Sequence, residues 1–377
     1  MDRAKASCRI TASWNHKGGP IPSYSETRWM TMDAEPFRRD NHYVPCMYLR
    51  GFAGRDNRVS TYRLLVPHPQ VPTWKQKSLR GIAYHAYLYT RLTAGGETDE
   101  IERWLEHDFE TPAAVPLRKV ISGERLTPTD WKHLIRFVAA QDVRTPARLL
   151  DNLQRWQAEL PSLIQDVLEE SVEKLSQAKA RGESLVPLKN DLSNYIPIRV
   201  SKQIEPGQEI GTVQAHVISG RGLWLFSLKH VLTHTVNALL LNRWTILTPP
   251  DGMTWLTSDD PAIRLNYYND GRYDFKGGWG NPGTEILLPV SPRHLLYAKV
   301  GYRPPSRGER PSREQTQMLR RFIVEHAHRM IIAAAMDDEV QVLRPRTVGA
   351  ELVRSENEQW SKWHEDQNAA ERRLMGW

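Results

Sequence analysis

Cysteine is nearly missing from this 377-residue chain, which has only Cys8 and Cys46. A disulfide framework is therefore not expected, and a reducing cytoplasm is the expected compartment. Apolar runs of membrane-spanning length are also lacking, because the longest candidate, residues 223–241, is interrupted by Lys229, His230, Thr233, His234 and Asn237. No membrane partner is expected. The first 24 residues lack the apolar segment of a secretory leader. There is no phosphate-binding Walker loop, no dinucleotide glycine fingerprint and no Gly-x-Ser-x-Gly elbow. His230 and His234 have helical metal-sharing spacing but lack the Glu that metalloproteases place after the first histidine. With Val231, Leu232 and Val236 beside them, they read as part of a core or interface helix.

The chain has a 40% hydrophobic content, enough for a sizeable core, and a formal charge of +7 that favours an anionic partner. Arg303, Arg307, Arg310, Arg313, Arg320 and Arg321 crowd into one stretch, where they could follow the backbone of a nucleic acid or another polyanion. A solvated loop leading into a charged helix explains them equally well. Core packing accounts for most of the 13 tryptophans.

Residues 1–38 carry no sustained periodicity and read as a disordered or loosely attached tail. Residues 39–345 read as a single α+β domain with a variable connection at 181–222, and 346–377 as a C-terminal helical tail. Thr98 is a candidate helix cap, and Thr127-Pro128-Thr129-Asp130 opens another helix. Residues 147–180 form a long amphipathic helix or a pair broken near Pro161. Pro249-Pro250-Asp251-Gly252 predicts a hairpin between strands at 244–247 and 253–257, and further strands fall at 286–290 and 294–300. The expected architecture is a helix-rich N-terminal half packed on a mainly antiparallel sheet from the C-terminal half. The glycine-rich run 277–283 reads as a mobile loop over that sheet.

Five ordered blocks stand out: Asn41-His42-Tyr43-Val44-Pro45 with Leu49-Arg50-Gly51-Phe52-Ala53; residues 137–146, ending Gln141-Asp142-Val143-Arg144-Thr145-Pro146; Thr257-Ser258-Asp259-Asp260-Pro261; Leu288-Pro289-Val290-Ser291-Pro292; and residues 327–332. Together they resemble an uncharacterised family of bacterial and fungal proteins known only as a domain of unknown function, over about Asp40 to Asp337. The resemblance implies one continuous domain, with His42, Gln141, Arg144 and Asp259 at the family's polar positions. This chain departs from the pattern with Cys46 in place of a usual Gln and Asp260 in place of a common Asn. The last helix also lacks the Asn expected shortly before the Ala-Arg block at Ala327.

The residue types themselves suggest two chemistries. His42 as acid and base, with Asp259 and Glu110 as carboxylates, could serve a catalytic site in which Arg144, Gln141 and Tyr43 bind a phosphate-bearing ligand. Asp259 and Asp260 could hold a divalent cation such as magnesium. Hydrolysis of a phosphoester or nucleic acid is the enzymatic expectation. The alternative is a non-enzymatic nucleic-acid or protein binding module in which these residues form a structural lock, with Arg144 paired to Asp259 and His42 capping a turn.

Overall fold

The computed structural model describes residues 10–15, 36–183, 197–204, 210–268, 271–307 and 309–376. Its principal helices are α1 (Pro128–Val143), α2 (Pro146–Ala180), α3 (Arg221–His230), α4 (Arg313–His326) and α5 (Ala350–Met375). α1 begins as its sequence dictates. The Thr127 hydroxyl accepts from the Asp130 backbone N–H, the Asp130 carboxylate accepts from the Thr127 backbone N–H, and Pro128 fills the first turn, where its missing donor costs nothing. Pro146 starts α2 in the same way, behind the cap residue Thr145, and α2 then runs through Pro161 as one helix.

Three antiparallel sheets support these helices. The largest has the order Trp244–Leu247, His294–Lys299, Glu285–Ser291, Ile263–Tyr267, Tyr273–Asp274. A four-stranded sheet joins Thr257–Ser258, Met330–Ala333, Arg58–Arg63 and Trp74–Ser78. The third pairs Ile10–Asn15 and Ile198–Ile204 with opposite edges of Ile210–Val217, so one segment of the expected N-terminal tail lies in a sheet. The rest of that tail up to residue 35, Cys8 included, lies outside the described residues, as do 184–196 and 205–209 of the expected connection.

The α+β class holds, but strands and helices are not divided between the two halves of the chain. The four-stranded sheet draws two strands from before residue 80 and two from after residue 250, because Met330–Ala333 pairs directly with Arg58–Arg63. The hairpin at Pro249–Gly252 does not form either. Trp244–Leu247 pairs with His294–Lys299, whereas Thr257–Ser258 crosses to Met330–Ala333. Thr98 ends a short strand instead of capping a helix, and the helix begins at Glu100.

The main core packs Tyr48, Leu49 and Phe52 against Phe109, Leu117, Phe137 and Leu288. A second core lies between the large sheet and α4, around Leu287, Leu295, Phe322 and Ile323. Gly51 shows how tightly the first is closed. A Cβ there would stand 2.2 Å from the Val290 carbonyl oxygen, so the backbone of one sequence block presses directly on that of another. Nearby, the Tyr48 hydroxyl donates to the Pro289 carbonyl at 2.5 Å and lies 2.6 Å from the Thr257 hydroxyl, tying three blocks together.

Candidate functional site

His42 ends a short strand, Asp40–His42, paired with Tyr84–Ala86, and Pro45 then turns the chain into the helical turn Cys46–Leu49. Proline's fixed φ and its restriction on Val44 make that entry rigid. The backbone carbonyl of His42 accepts a hydrogen bond from Arg144 Nη2 at 2.5 Å, while its half-buried imidazole lies 3.3 Å from the Arg80 carbonyl. Burial holds that imidazole below its ordinary pKa.

Arg144 has no exposed surface. Its Nη1 donates to Glu110 at 2.6 Å and its Nε to the Tyr89 hydroxyl at 3.3 Å, and that hydroxyl donates back to the Arg144 carbonyl at 2.7 Å. Glu110 is delivered by a π turn, Glu106–Glu110, and Tyr89 is fully buried beneath it. The guanidinium charge is thus enclosed and satisfied within the fold, where removing one partner would strand the other. The ion pair expected between Arg144 and Asp259 is replaced by Arg144 with Glu110, because the π turn carries Glu110 to the guanidinium while Asp259 faces other donors.

Asp259 accepts the backbone N–H groups of His328 and Arg329 at 2.9 and 2.8 Å. Its complete burial nevertheless raises the carboxyl pKa to about 6. Asp260 accepts from the Thr145 hydroxyl at 2.8 Å and faces Arg148 and His326. Separate partners therefore engage the two adjacent carboxylates. Among the described residues no group of three or more His, Cys, Asp or Glu side chains is arranged to hold a metal ion, so the expected magnesium pair at Asp259 and Asp260 has no ligand set around it. Gln141 is completely buried, and its amide makes no hydrogen bond among the described residues. Tyr43 packs on the main core, and burial pushes its phenol well above its ordinary pKa.

Immediately beyond this lock lies a different arrangement. Asp142 sits 2% exposed at the C-terminal end of α1 and receives the Trp279 indole N–H at 2.7 Å. It also lies 3.2 Å from Arg148 Nη2 and 3.1 Å from Arg264 Nε. Arg148, in the first turn of α2, donates through Nε to the Asp142 carbonyl and places Nη2 3.1 Å from His326 Nε2. His326 Nδ1 lies 3.0 Å from the Asp260 carbonyl, which accepts the ring proton and leaves Nε2 to accept from Arg148. Burial first, and the Arg148 charge second, hold the imidazole far below its ordinary pKa, at about 3.

Asp142, Arg148, Arg264 and Trp279 border a cavity of about 440 Å3. Arg148, Arg155 and Arg264 reach its wall, opposed by Asp142 and Asp151, while Trp279, Gly280 and Asn281 form another side. Part of the glycine-rich run thus forms a wall of this cavity. Its tryptophan is docked on Asp142, and the Trp279 carbonyl accepts from Asn242 at 3.0 Å. Gly277 permits this course, since a Cβ there would stand 2.5 Å from the Thr284 methyl.

Asp142, Arg148, Arg264 and Trp279 were not among the residues singled out by sequence reasoning. The legible clue was that Asp142 and Arg148 flank Arg144-Thr145-Pro146 across a helix-to-helix junction.

The arginine-rich stretch does not form a free basic stripe. Arg320 is buried with Asp337 and Glu339, Arg310 pairs with Asp251, Arg321 with Glu325, and Arg307 donates to the Glu124 carbonyl. The imidazoles of His230 and His234 stack on each other at an exposed π turn, while Leu228 and Leu232 of the same segment are buried. No helix among the described residues is long and apolar enough to cross a membrane.

No curated protein and no solved structure matches the chain. The family model described as "protein of unknown function (DUF4238)" matches residues 40–337, more than half of the chain, and the protein belongs to that family.

Proposed function

We propose that this protein binds a small phosphate-bearing ligand in the cavity between the α1–α2 junction, α3 and the glycine-rich loop. The observation that carries this reading is the convergence of Arg148, Arg155 and Arg264 on one cavity wall. Three guanidinium groups against two carboxylates leave a positive balance, and planar guanidinium forks suit phosphate oxygens. Arg264 is the best placed, because its side chain is 29% exposed and its terminal nitrogens make no hydrogen bond among the described residues. His42, Glu110, Tyr89 and Arg144 act as a structural lock that fixes the start of α2 and hence the position of Arg148.

Binding is favoured over hydrolysis by the chemistry of the wall. Its described residues include no histidine or cysteine, and Asp142 already accepts from Trp279 and is ion-paired with Arg148 and Arg264. A small anion suits the site better than nucleic acid, since most arginines of the basic stretch are tied to carboxylates or carbonyls. The near absence of cysteine suits a reducing cytoplasm as the place where the ligand is met.

Calorimetric titration with pyrophosphate and with adenosine monophosphate tests the reading. Wild-type protein should bind at least one of them, and Arg264→Ala should weaken that binding by about tenfold, the loss of one charge-assisted hydrogen bond. Absence of binding to both probes by folded wild-type protein would overturn it.

A further inference from the structure

α3 has a second working face. Trp224, Ser227, Leu228 and Val231 lie toward the arginine-lined cavity, whereas Gly222, Leu225, Phe226 and Lys229 border a separate cavity of about 460 Å3. Leu92, Ile101 and Leu223 line this second space, and Leu374 from the last turn of α5 closes one side. The wall is predominantly apolar, with a few polar groups at defined points, the composition by which pockets select amphipathic small molecules.

Those polar groups differ in how far they are already engaged. Glu371 is occupied by Arg221 at 3.0 Å and by the Gly222 backbone N–H at 3.2 Å. Arg91 is paired with Glu100 at 2.5 Å. Lys229 is different: it is half-buried at the cavity wall and has no carboxylate partner among the described residues. Thr90 is 1% exposed in the same lining, and its hydroxyl has no hydrogen-bond partner among the described residues. A buried hydroxyl without a partner and an unpaired ammonium beside an apolar space are both costs that a ligand could remove.

We propose that this cavity takes an amphipathic monocarboxylate of the fatty-acid class, its chain among Leu92, Leu225, Phe226 and Leu374 and its carboxylate on Lys229. One unpaired cation matches one negative charge. A neutral lipid would leave Lys229 without a counter-ion, and a phosphate or polyphosphate would bring more charge than the wall can answer.

The test is calorimetric titration of the full chain with dodecanoate below its micellar range, beside dodecanol as the neutral match. Wild type should bind dodecanoate more tightly than dodecanol. Lys229→Met should weaken dodecanoate about fivefold, as for loss of a partly exposed ion pair, while leaving dodecanol unchanged. Lys229→Arg should restore the preference. Saturating pyrophosphate should not displace dodecanoate, which keeps this outcome separate from that of the arginine-lined cavity. The proposal is overturned if wild type binds neither probe, if Lys229→Met leaves dodecanoate affinity intact or weakens both probes alike, or if pyrophosphate competes.

Discussion

Arg144 and Arg148 lie four residues apart across the α1–α2 junction, yet the fold gives them different surroundings. Arg144 is sealed, with Glu110, the His42 carbonyl and Tyr89 occupying its donors. Arg148 is almost as deeply buried, but its surroundings open onto a cavity that also receives Arg155 and Arg264. The contrast shows that burial of an arginine does not reveal its role. What separates the two arginines is whether the network around the charge ends in the protein or at an open space.

Four measurements can break or sharpen that contrast. The largest effect should come from Arg144→Met, which strands Glu110 and leaves the His42 carbonyl without its donor. Urea unfolding should show a loss of about 3–5 kcal/mol, as for a broken buried pair. A loss below about 1 kcal/mol would mean that Arg144 does not act as a lock.

The second measurement concerns His326. Its folded-state pKa of about 3 lies below its unfolded value, so the unfolded chain takes up a proton first as pH falls. The stability due to this group is complete above about pH 6.5 and is lost as pH drops toward about 3. Between about pH 7.5 and pH 5, wild type should therefore lose about 2 kcal/mol more than His326→Asn does. Equal losses would show that the imidazole is not held neutral against Arg148.

Third, Trp279→Phe removes the indole N–H from Asp142 while keeping an aromatic ring in the wall. A stability loss of about 1.5 kcal/mol is expected, together with faster proteolysis within residues 277–283. An unchanged cleavage rate would indicate that the loop is held by something other than this bond.

The smallest stability effect is expected at Arg155, whose side chain is 56% exposed. Arg155→Ala should alter stability by no more than about 0.5 kcal/mol while still weakening pyrophosphate binding. Unaltered pyrophosphate affinity would remove Arg155 from the binding wall.

The parts of this fold that were legible in the sequence rest on local chemistry. Thr127, Pro128 and Asp130 specify a helix start by themselves, and the short apolar runs at 286–290 and 294–299 on either side of Ser291-Pro292-Arg293 specify two adjacent strands. The parts that were not legible depend on partners distant in sequence. Nothing near Thr257 indicates that it will pair with Ile332, so a plausible turn at Pro249–Gly252 was a misleading guide. Spacing likewise could not tell Arg144 that its partner would be Glu110, since a π turn carries that carboxylate into place. The cavity was hidden for the same reason, because its wall combines α1, α2, α3, Arg264 and the glycine-rich loop. Arg148 resembles any solvated residue in the first turn of a long polar helix until the sheet is packed against it.

The pairing of Arg58–Arg63 with Met330–Ala333 also bears on how the protein is made. An emerging chain can form α1 and α2 early, but the inner strand of that sheet has no partner on one edge until residue 333 has left the ribosome. Until then Val59 and Tyr62, which end up fully buried, remain exposed to solvent or to a chaperone. A nascent chain stalled or truncated before residue 330 should therefore be captured as an aggregation-prone intermediate, however complete its helices are.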